Sequence, residues 1–281
     1  MTVRPEAVEG HLTRCEDEQM DFATGKLIHR LRSKLNRIEI SESDGMRLLR
    51  TDQRAVQSTL NIARPEQLVL PYMAAMMTGL LFQPDPARTL LLGLGGGDLV
   101  RFLLHYLPQA TIDAVEIDPL MAMVSREHFA LPDSERLTLH IDDAGHFISQ
   151  RHDDYSLILV DIYAGDGVPK LLLEPGFYRN CRDKLAQQGL LVINVLTNDA
   201  ATFLSMMQMI RSRFNRATLC LSVPHHTNVI IFAFEQRPAL QTLSALLEQA
   251  AQLSERFELE LGDWTRQLFT TNPTMDGALL F

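Results

Sequence analysis

The chain contains few cysteines, and they are not arranged as metal ligands or as a disulfide framework. Cys15, Cys181 and Cys220 are the only three in 281 residues, and they lie far apart in sequence. Secreted proteins that depend on disulfides contain many more cysteines, and zinc sites place them in closely spaced pairs. The cysteine content therefore predicts a protein of a reducing compartment, which we take to be the cytoplasm, and no metal site.

Two further features, an excess of positive charge and a long apolar run, are also missing. Lysine and arginine number 26 against 35 aspartates and glutamates, a net charge of −9. Nucleic-acid partners require basic surface, so this balance argues against them and suits a cationic small molecule. The most hydrophobic run, Leu68–Phe82, is too short to span a bilayer, and the acidic stretch Glu16–Glu18 lies where a signal core would end. We expect no membrane or nucleic-acid partner.

The most informative stretch runs from Thr89 to Asp118. It reads as an apolar strand, a turn with Gly93, Gly95 and Gly96, an amphipathic helix, and a second strand that ends at Glu116. This pattern is typical of a nucleotide-type ligand bound at the carboxyl edge of a parallel sheet. The glycines allow the backbone to approach the ligand, and Glu116 is placed to accept hydrogen bonds from ribose hydroxyls.

Asp98 decides which nucleotide this turn suits. It stands where a dinucleotide fingerprint has its third glycine, and a carboxylate at a helix start would repel a pyrophosphate. S-adenosyl compounds carry a sulfonium and an ammonium and no phosphate, so the residue favours an adenosyl-sulfonium ligand over NAD. A helix N-cap is the simpler alternative interpretation of Asp98.

The order of the predicted elements indicates the fold class. From Thr89 onward apolar strands alternate with helical segments, which predicts a parallel sheet covered on both faces. Two late strands, 217–223 and 229–234, are joined by too few residues for a crossover and must form an antiparallel hairpin. The sequence thus predicts an α/β, Rossmann-like fold of the S-adenosylmethionine-dependent methyltransferase type, with seven strands. We predict two parts: an N-terminal β-hairpin region, 1–64, and a catalytic domain, 65–281.

Four acids follow successive predicted strands, and the motifs around them resemble those of the spermidine synthases. The acids are Asp98, Glu116, Asp143 and Asp161. The motifs are G-G-G-D at 95–98, V-E-I-D at 115–118, I-D-D-A at 141–144 and L-V-D at 159–161, and the upstream stretch 45–57, through Asp52 to Gln57, resembles the family's N-terminal hairpin. The resemblance implies an aminopropyltransferase of polyamine biosynthesis, with decarboxylated S-adenosylmethionine as co-substrate, methylthioadenosine as product and no permanently bound cofactor.

The resemblance also implies roles for individual residues. Asp161 would be the catalytic acid–base residue, and Asp98 would bind the ammonium of the aminopropyl arm. Glu116 would hold the ribose, Asp143 with Ala144 the adenine, and Gln57 the nucleoside side; for Asp143 a helix N-cap, and for Gln57 a surface position, are the alternatives. The amine substrate would lie near Tyr72, Asp98, Asp161, Tyr163, Asp166 and Pro169.

The half of the motif set that would bind the amine departs from the family. Tyr72 is followed by Met73 and Ala74 in place of a His-Glu or Gln-Glu pair, the second acid of the catalytic loop is displaced to Asp166, and no acid follows Asn194. Each difference removes a group that would hold a polyamine's second ammonium, so the sequence leaves open whether putrescine or another amine is the acceptor. An S-adenosylmethionine-dependent methyltransferase and a catalytically silent nucleoside-binding protein remain alternatives. The resemblance also implies a homodimer or homotetramer.

Overall fold

A computed structural model describes residues 25–51, 56–150, 154–164, 167–196 and 199–281 of the chain. Asp52 and Asp166 lie outside the described residues, so the predictions that concern them are not addressed. Among the described residues, no helix is long and apolar enough to cross a membrane.

The N-terminal part is an antiparallel sheet of four strands: β1 (Lys26–Arg32), β2 (Arg37–Ser43), β3 (Met46–Arg50) and β4 (Val56–Asn61). The predicted hairpin is its central pair, β2 and β3, joined at Asp44 and Gly45, whose φ angles are +51° and +76°. Such left-handed residues suit the tight turns that match strand twist. The flanking strands β1 and β4 were not predicted; β1 is exposed along nearly all its length and carries no buried apolar face.

The main sheet has seven strands in the order β10-β11-β9-β8-β5-β6-β7. They are β5 (Arg88–Leu92), β6 (Thr111–Glu116), β7 (Leu137–Ile141), β8 (Tyr155–Val160), β9 (Leu185–Leu196), β10 (Thr218–Ser222) and β11 (Asn228–Phe234). Strands β5 to β9 pair in parallel, and the β10–β11 hairpin is antiparallel to β9. This arrangement confirms the predicted fold class.

Helices cover both faces of that sheet. They are α1 (Pro71–Met77), α2 (Asp98–Tyr106), α3 (Pro119–His128), α4 (Ala144–Gln150), α5 (Pro175–Asp183), α6 (Ala200–Arg213), α7 (Leu243–Phe257) and α8 (Leu261–Thr271). Short 3-10 helices occupy Thr78–Leu81 and Lys170–Leu173. Helices α1, α2, α7 and α8 share one buried cluster with one face of the sheet, and α4, α5 and α6 share another with the opposite face. The central parallel strands are therefore buried on both sides, as their continuous apolar runs predicted, while the edge strand β7 is partly exposed.

Helix α3 packs against the N-terminal sheet. Met121, Val124 and Phe129 form a buried cluster with Ile38 and Leu49 of that sheet. The division of the chain into regions 1–64 and 65–281 stays a prediction, since β4 ends at Asn61 but this shared core crosses the boundary.

The C-terminal segment is more ordered than its sequence indicated. Helix α7 starts at Leu243, capped by the Thr242 hydroxyl, rather than at the predicted Ala239. The tail from Gly262 had no clear pattern; it contains most of α8 and a small hairpin of β12 (Thr274–Met275) and β13 (Ala278–Leu279).

A buried arginine joins the two sheets. Arg101 of α2 is only 3% exposed. Its Nε donates to the Pro65 carbonyl (2.7 Å), and its Nη1 donates to the carbonyls of Gly96 and Phe129 (2.6 Å each). Nη2 lies 3.3 Å from both the Thr59 carbonyl and Asp98 Oδ1. One guanidinium thus ties β4, the glycine turn and the end of α3 together.

Replacement of this arginine is expected to destabilise the fold strongly. Arg101→Met leaves the Asp98 carboxylate buried without its cation and removes donors from four carbonyls, which should cost about 3–5 kcal/mol of unfolding free energy. Urea unfolding measures it. Arg266→Met is the matched control, because its ion pair with Asp263 is exposed and such pairs contribute about 0–1 kcal/mol. Equal losses in the two variants would contradict the role given to Arg101.

Candidate active site

The glycine turn after β5 is shaped by a close backbone contact. Gly93 has a φ of +95°, and a Cβ added there would lie 2.2 Å from the carbonyl oxygen of Asp161. Only glycine therefore allows the end of β5 to pass beside the end of β8. Gly95, with a φ of +55°, continues the turn into α2.

The N-terminal sheet forms one wall of this turn. The Gly96 N–H donates to the Ser58 hydroxyl (2.7 Å), and a Cβ added to Gly96 would lie 2.7 Å from Ser58 Cβ. Sequence reasoning did not identify Ser58, since a serine in an unpredicted strand gives no signal of its own. Ser58 of β4 thus packs directly against the glycine turn and limits the space on that side of it.

Glu116 lies at the end of β6, beside the turn. It is 9% exposed, and its carboxylate accepts hydrogen bonds from the backbone N–H groups of Leu94 (3.1 Å) and Asp118 (2.9 Å). Burial raises the pKa of Glu116, and these N–H donors oppose the rise. The backbone therefore fixes the position of this carboxylate beside the glycine turn.

Asp98 is a buried carboxylate with one oxygen unpaired. Gly97 is the N-cap of α2 and Asp98 is its first residue with no capping bond, so the N-cap alternative is wrong. Its Oδ1 accepts from the Thr59 N–H (3.2 Å), while Oδ2 has no hydrogen-bond partner among the described residues. Burial raises the pKa of Asp98, and the Arg101 cation together with hydrogen bonds from the Ser58 hydroxyl and the Thr59 N–H opposes the rise. A buried acceptor without a partner is suited to a donor brought by a ligand.

Asp143 and the segment after Pro169 meet at the start of α4. Asp143 is exposed, and its Oδ1 accepts from the His146 N–H (2.9 Å), so it does cap the helix that begins at Ala144. A Cβ added to Gly145 would lie 2.7 Å from Leu171 Cδ1 and 3.2 Å from Asp143 Oδ1. The structure therefore brings the segment that follows Pro169 next to Asp143.

Exposed apolar side chains surround this corner. Ile117 and Ile141 are each 51% exposed and Leu173 is 42% exposed. Ile117 directly follows Glu116, Ile141 ends the neighbouring strand, and Leu173 ends the 3-10 helix after Pro169. Such side chains can pack on the faces of a flat base. In the sequence, Ile117 follows Glu116 and Ile141 lies two residues before Asp143, but sequence reasoning did not identify either isoleucine.

Asp161 follows β8 and is held by two neutral donors. The Tyr72 hydroxyl donates to Oδ2 (3.2 Å), and the Asn194 amide donates to Oδ1 (2.8 Å). Desolvation raises the pKa of Asp161 to about 6; Asn194 and Tyr72 oppose the rise, and the negative charge of Asp98 adds to it. Tyr72, which was predicted to bind substrate, is thus a direct partner of Asp161.

Other residues complete the surroundings of Asp161. Asn228 of β11 donates through its amide to Asn194 Oδ1 (2.8 Å). Gln57 of β4 hydrogen-bonds the Tyr163 hydroxyl, which connects the N-terminal sheet with the loop that follows Asp161. The two asparagines were missed, because polar residues near strand ends are common and their contact depends on the strand order. Within the described residues, no three potential ligands are placed to hold a metal ion.

Comparison with known proteins gives the family. Residues 72–239 match the model of the spermine/spermidine synthase domain. The polyamine aminopropyltransferase of Chromobacterium violaceum is 33% identical over 244 residues, with 86% of this chain and 93% of that protein aligned. The enzyme of that name from Neisseria meningitidis serogroup A is 32% identical over 238 residues, 84% of this chain and 90% of that protein.

Solved structures of two kinds share the fold. A probable spermidine synthase from Corynebacterium glutamicum aligns with a TM-score of 0.69 at 20% identity, covering 81% of this chain and 87% of that one. A spermidine synthase in complex with the transition-state analogue AdoDATO gives 0.68 at 18%, covering 87% and 85%. Human methyltransferase-like protein 13 in complex with SAH gives 0.63 at 25%, covering 68% and 93%.

The domain match, the identity to full-length relatives and the strand order agree, and the chain belongs to the spermine/spermidine synthase family.

Proposed function

We propose that this protein is an aminopropyltransferase that moves the aminopropyl group of decarboxylated S-adenosylmethionine to an amine and releases methylthioadenosine. The observation that carries the proposal is the presence of two carboxylates, Asp98 and Asp161, that interact at the edge of the sheet, the first with an unpaired oxygen. Both the sulfonium donor and an ammonium acceptor are cations, so both suit this site.

The donor would lie across the glycine turn. Gly93, Gly95 and Gly96 leave room for the nucleoside, Glu116 accepts from the ribose hydroxyls, and Gln57 reaches the nucleoside from β4. Asp143 accepts from the adenine amino group with the Ala144 backbone beside it, while Ile117 packs on the base. Asp98 Oδ2 accepts from the terminal ammonium of the aminopropyl arm. Each of these roles is part of the proposal.

The acceptor would lie at Asp161, near Tyr72, Tyr163, Pro169 and Asp166. An alkylammonium has a pKa of about 10.4, so presenting the free amine at pH 7 costs about 4–5 kcal/mol. Asp161 would take the proton while the nitrogen forms its bond to the carbon next to sulfur and the carbon–sulfur bond breaks. The sulfonium becomes a neutral thioether, and the proton later leaves Asp161 to water. Positioning of both reactants supplies a further part of the rate.

The partner is thus a small-molecule amine. Cytoplasmic location and a dimeric or tetrameric state are further parts of the proposal, supported by the family and by the sequence composition alone.

Asp161→Asn tests the catalytic role. The substitution keeps the shape of the side chain but removes the proton acceptor, so kcat should fall at least about a hundredfold. Methylthioadenosine affinity, measured by calorimetry, should change little. Asp263→Asn on the exposed side of α8 is the matched control and should keep full activity. Turnover near that of the unmodified enzyme in Asp161→Asn would exclude the residue from the chemistry.

The pH dependence has a definite sign. Asp161 accepts a proton only when ionised, and its pKa is raised to about 6 by desolvation. The kcat/KM for the donor reports the free enzyme, so it should be full above that pH and fall about tenfold per unit below it. A simple amine stays protonated across this range, so its own titration adds no slope. The rate of methylthioadenosine release at donor concentrations below KM, measured between pH 5 and 8, gives this profile, and a profile that stays flat down to pH 5 would contradict the assignment.

Donor choice separates this function from methyl transfer and from a silent binding protein. Asp98→Asn removes the charged partner of the donor ammonium, which is worth about 1.5–3 kcal/mol, or about 10- to 150-fold in affinity. Calorimetry should show that loss for decarboxylated S-adenosylmethionine. Tighter binding of S-adenosylmethionine itself by the unmodified protein would favour a methyltransferase. Donor binding without methylthioadenosine release, across a panel of amines, would favour the silent protein.

A further inference from the structure

Three polar side chains from neighbouring strands form a continuous hydrogen-bonded row along one edge of the main sheet. Asn228 begins β11, Asn194 lies near the end of β9, and Asp161 follows β8. The amide nitrogen of Asn228 lies 2.8 Å from Asn194 Oδ1, and the amide nitrogen of Asn194 lies 2.8 Å from Asp161 Oδ1. Asn228 is 9% exposed, so water is largely excluded from the outer end of the row.

The direction of the row follows from the chemistry of its members. An ionised carboxylate only accepts, so Asn194 must turn its NH2 group toward Asp161. Its carbonyl oxygen then faces Asn228 and requires a donor. The NH2 group of Asn228 supplies that donor, and this contact selects the orientation of Asn194 that stabilises the ionised carboxylate.

We propose that Asn228 is a positioning residue for the reaction: through Asn194 it holds the Asp161 carboxylate in the orientation and charge state that accept the amine's proton. This inference deepens the proposed function and rests on it for its catalytic meaning. Neither asparagine is among the positions 95–98, 115–118, 141–144 and 159–161 that identified the site.

The backbone of Asn228 also connects the hydrogen-bonded row to the loop between β10 and β11. The Asn228 carbonyl accepts from the Val223 N–H (3.0 Å), which closes the loop that carries His225 and His226. Asn228 also pairs with Leu196 at the end of β9. The side chain that orients Asp161 therefore sits on the residue that closes the hairpin loop next to it.

The other groups that act on Asp161 come from different elements. In the described part of the chain these are Tyr72 of α1, which donates to Oδ2, and Asp98 of α2, whose charge disfavours ionisation. Neither contacts Asn228 in the described hydrogen bonds, so the effect of Asn228 can be separated from theirs.

A double-mutant cycle tests the proposal. Asn228→Ala removes the donor that orients Asn194, so the midpoint of Asp161 titration should rise by about 0.5–1 pH unit. Asn194→Leu removes the amide that donates to Asp161 and should raise the midpoint of Asp161 titration by at least as much. If Asn228 acts through Asn194, then adding Asn228→Ala to Asn194→Leu should produce no further shift.

The readout does not depend on turnover. Carbon NMR of the carboxyl groups follows the titration, with the Asp161 signal assigned by its loss in Asp161→Asn. In the same variants, the acid side of the kcat/KM profile should move with the NMR midpoint, with donor affinity unchanged. A protein without transferase activity would still show the NMR coupling, so failure of the proposed function and failure of this inference are distinguishable.

Two outcomes would overturn the inference: an unshifted Asp161 midpoint in Asn228→Ala, or an equal shift in the presence and absence of Asn194. If Asn228 had only a structural role, its replacement would lower kcat without shifting the midpoint on the acid side of the kcat/KM profile. If the alanine variant does not fold, Asn228→Leu fills the same volume without a donor and serves in the same cycle.

Discussion

The site depends on one buried ion pair, between Arg101 and Asp98. The guanidinium directs its N–H groups at the carbonyls of Thr59, Pro65, Gly96 and Phe129 as well as at the carboxylate. A buried charge pair is stable only when the remaining hydrogen-bond donors of its cation are satisfied, and here the carbonyls of four backbone segments satisfy those of Arg101. Those segments include the wall strand β4 and the glycine turn. The positions of β4 and of the glycine turn therefore depend on the packing of the Arg101 side chain.

Asp98 and Asp161 have different partners, and the difference suits the two roles that the proposed reaction gives them. Asp98 faces the Arg101 cation, which opposes the rise that burial causes in the pKa of Asp98. Asp161 is held by the neutral donors Tyr72 and Asn194, and its pKa lies at about 6. A cation beside Asp161 would lower that pKa and weaken it as a base. Neutral donors orient the carboxylate while leaving it able to accept a proton near neutral pH.

The sequence predicted the main sheet and the acids at its edge because both follow from local patterns. Continuous apolar runs mark strands buried on both faces, and Glu116 and Asp161 stand where such strands end. Strand β1 was not predicted because it is exposed on both faces and therefore has no alternation. Arg101 could not be assigned either, since an arginine on an amphipathic helix resembles any solvated one until the partner strand is placed.

Ser58, Asn194 and Asn228 show the same limit at the site itself. Each is a small polar residue in or at the start of a strand, and its importance depends on a contact with a residue distant in sequence, such as Gly96 or Asp161. The antiparallel hairpin of β10 and β11 was predicted, but not that β11 pairs with β9. Which side chains meet there also depends on register, because a one-residue slip turns a side chain to the opposite face.

In the proposed reaction, the electrostatic interaction between Asp98 and Asp161 also couples donor binding to the ionisation of Asp161. The charge of Asp98 raises the pKa of Asp161, so each acid makes ionisation of the other less favourable in the empty site. A donor that brings an ammonium to Asp98 compensates that charge, and its sulfonium adds a second positive charge near Asp161. Both effects lower the pKa of Asp161, so the carboxylate becomes more fully ionised once the donor is present. Close to pH 6, where Asp161 is only partly ionised in the empty site, the proposed donor would therefore increase the fraction of enzyme whose base can take the acceptor's proton.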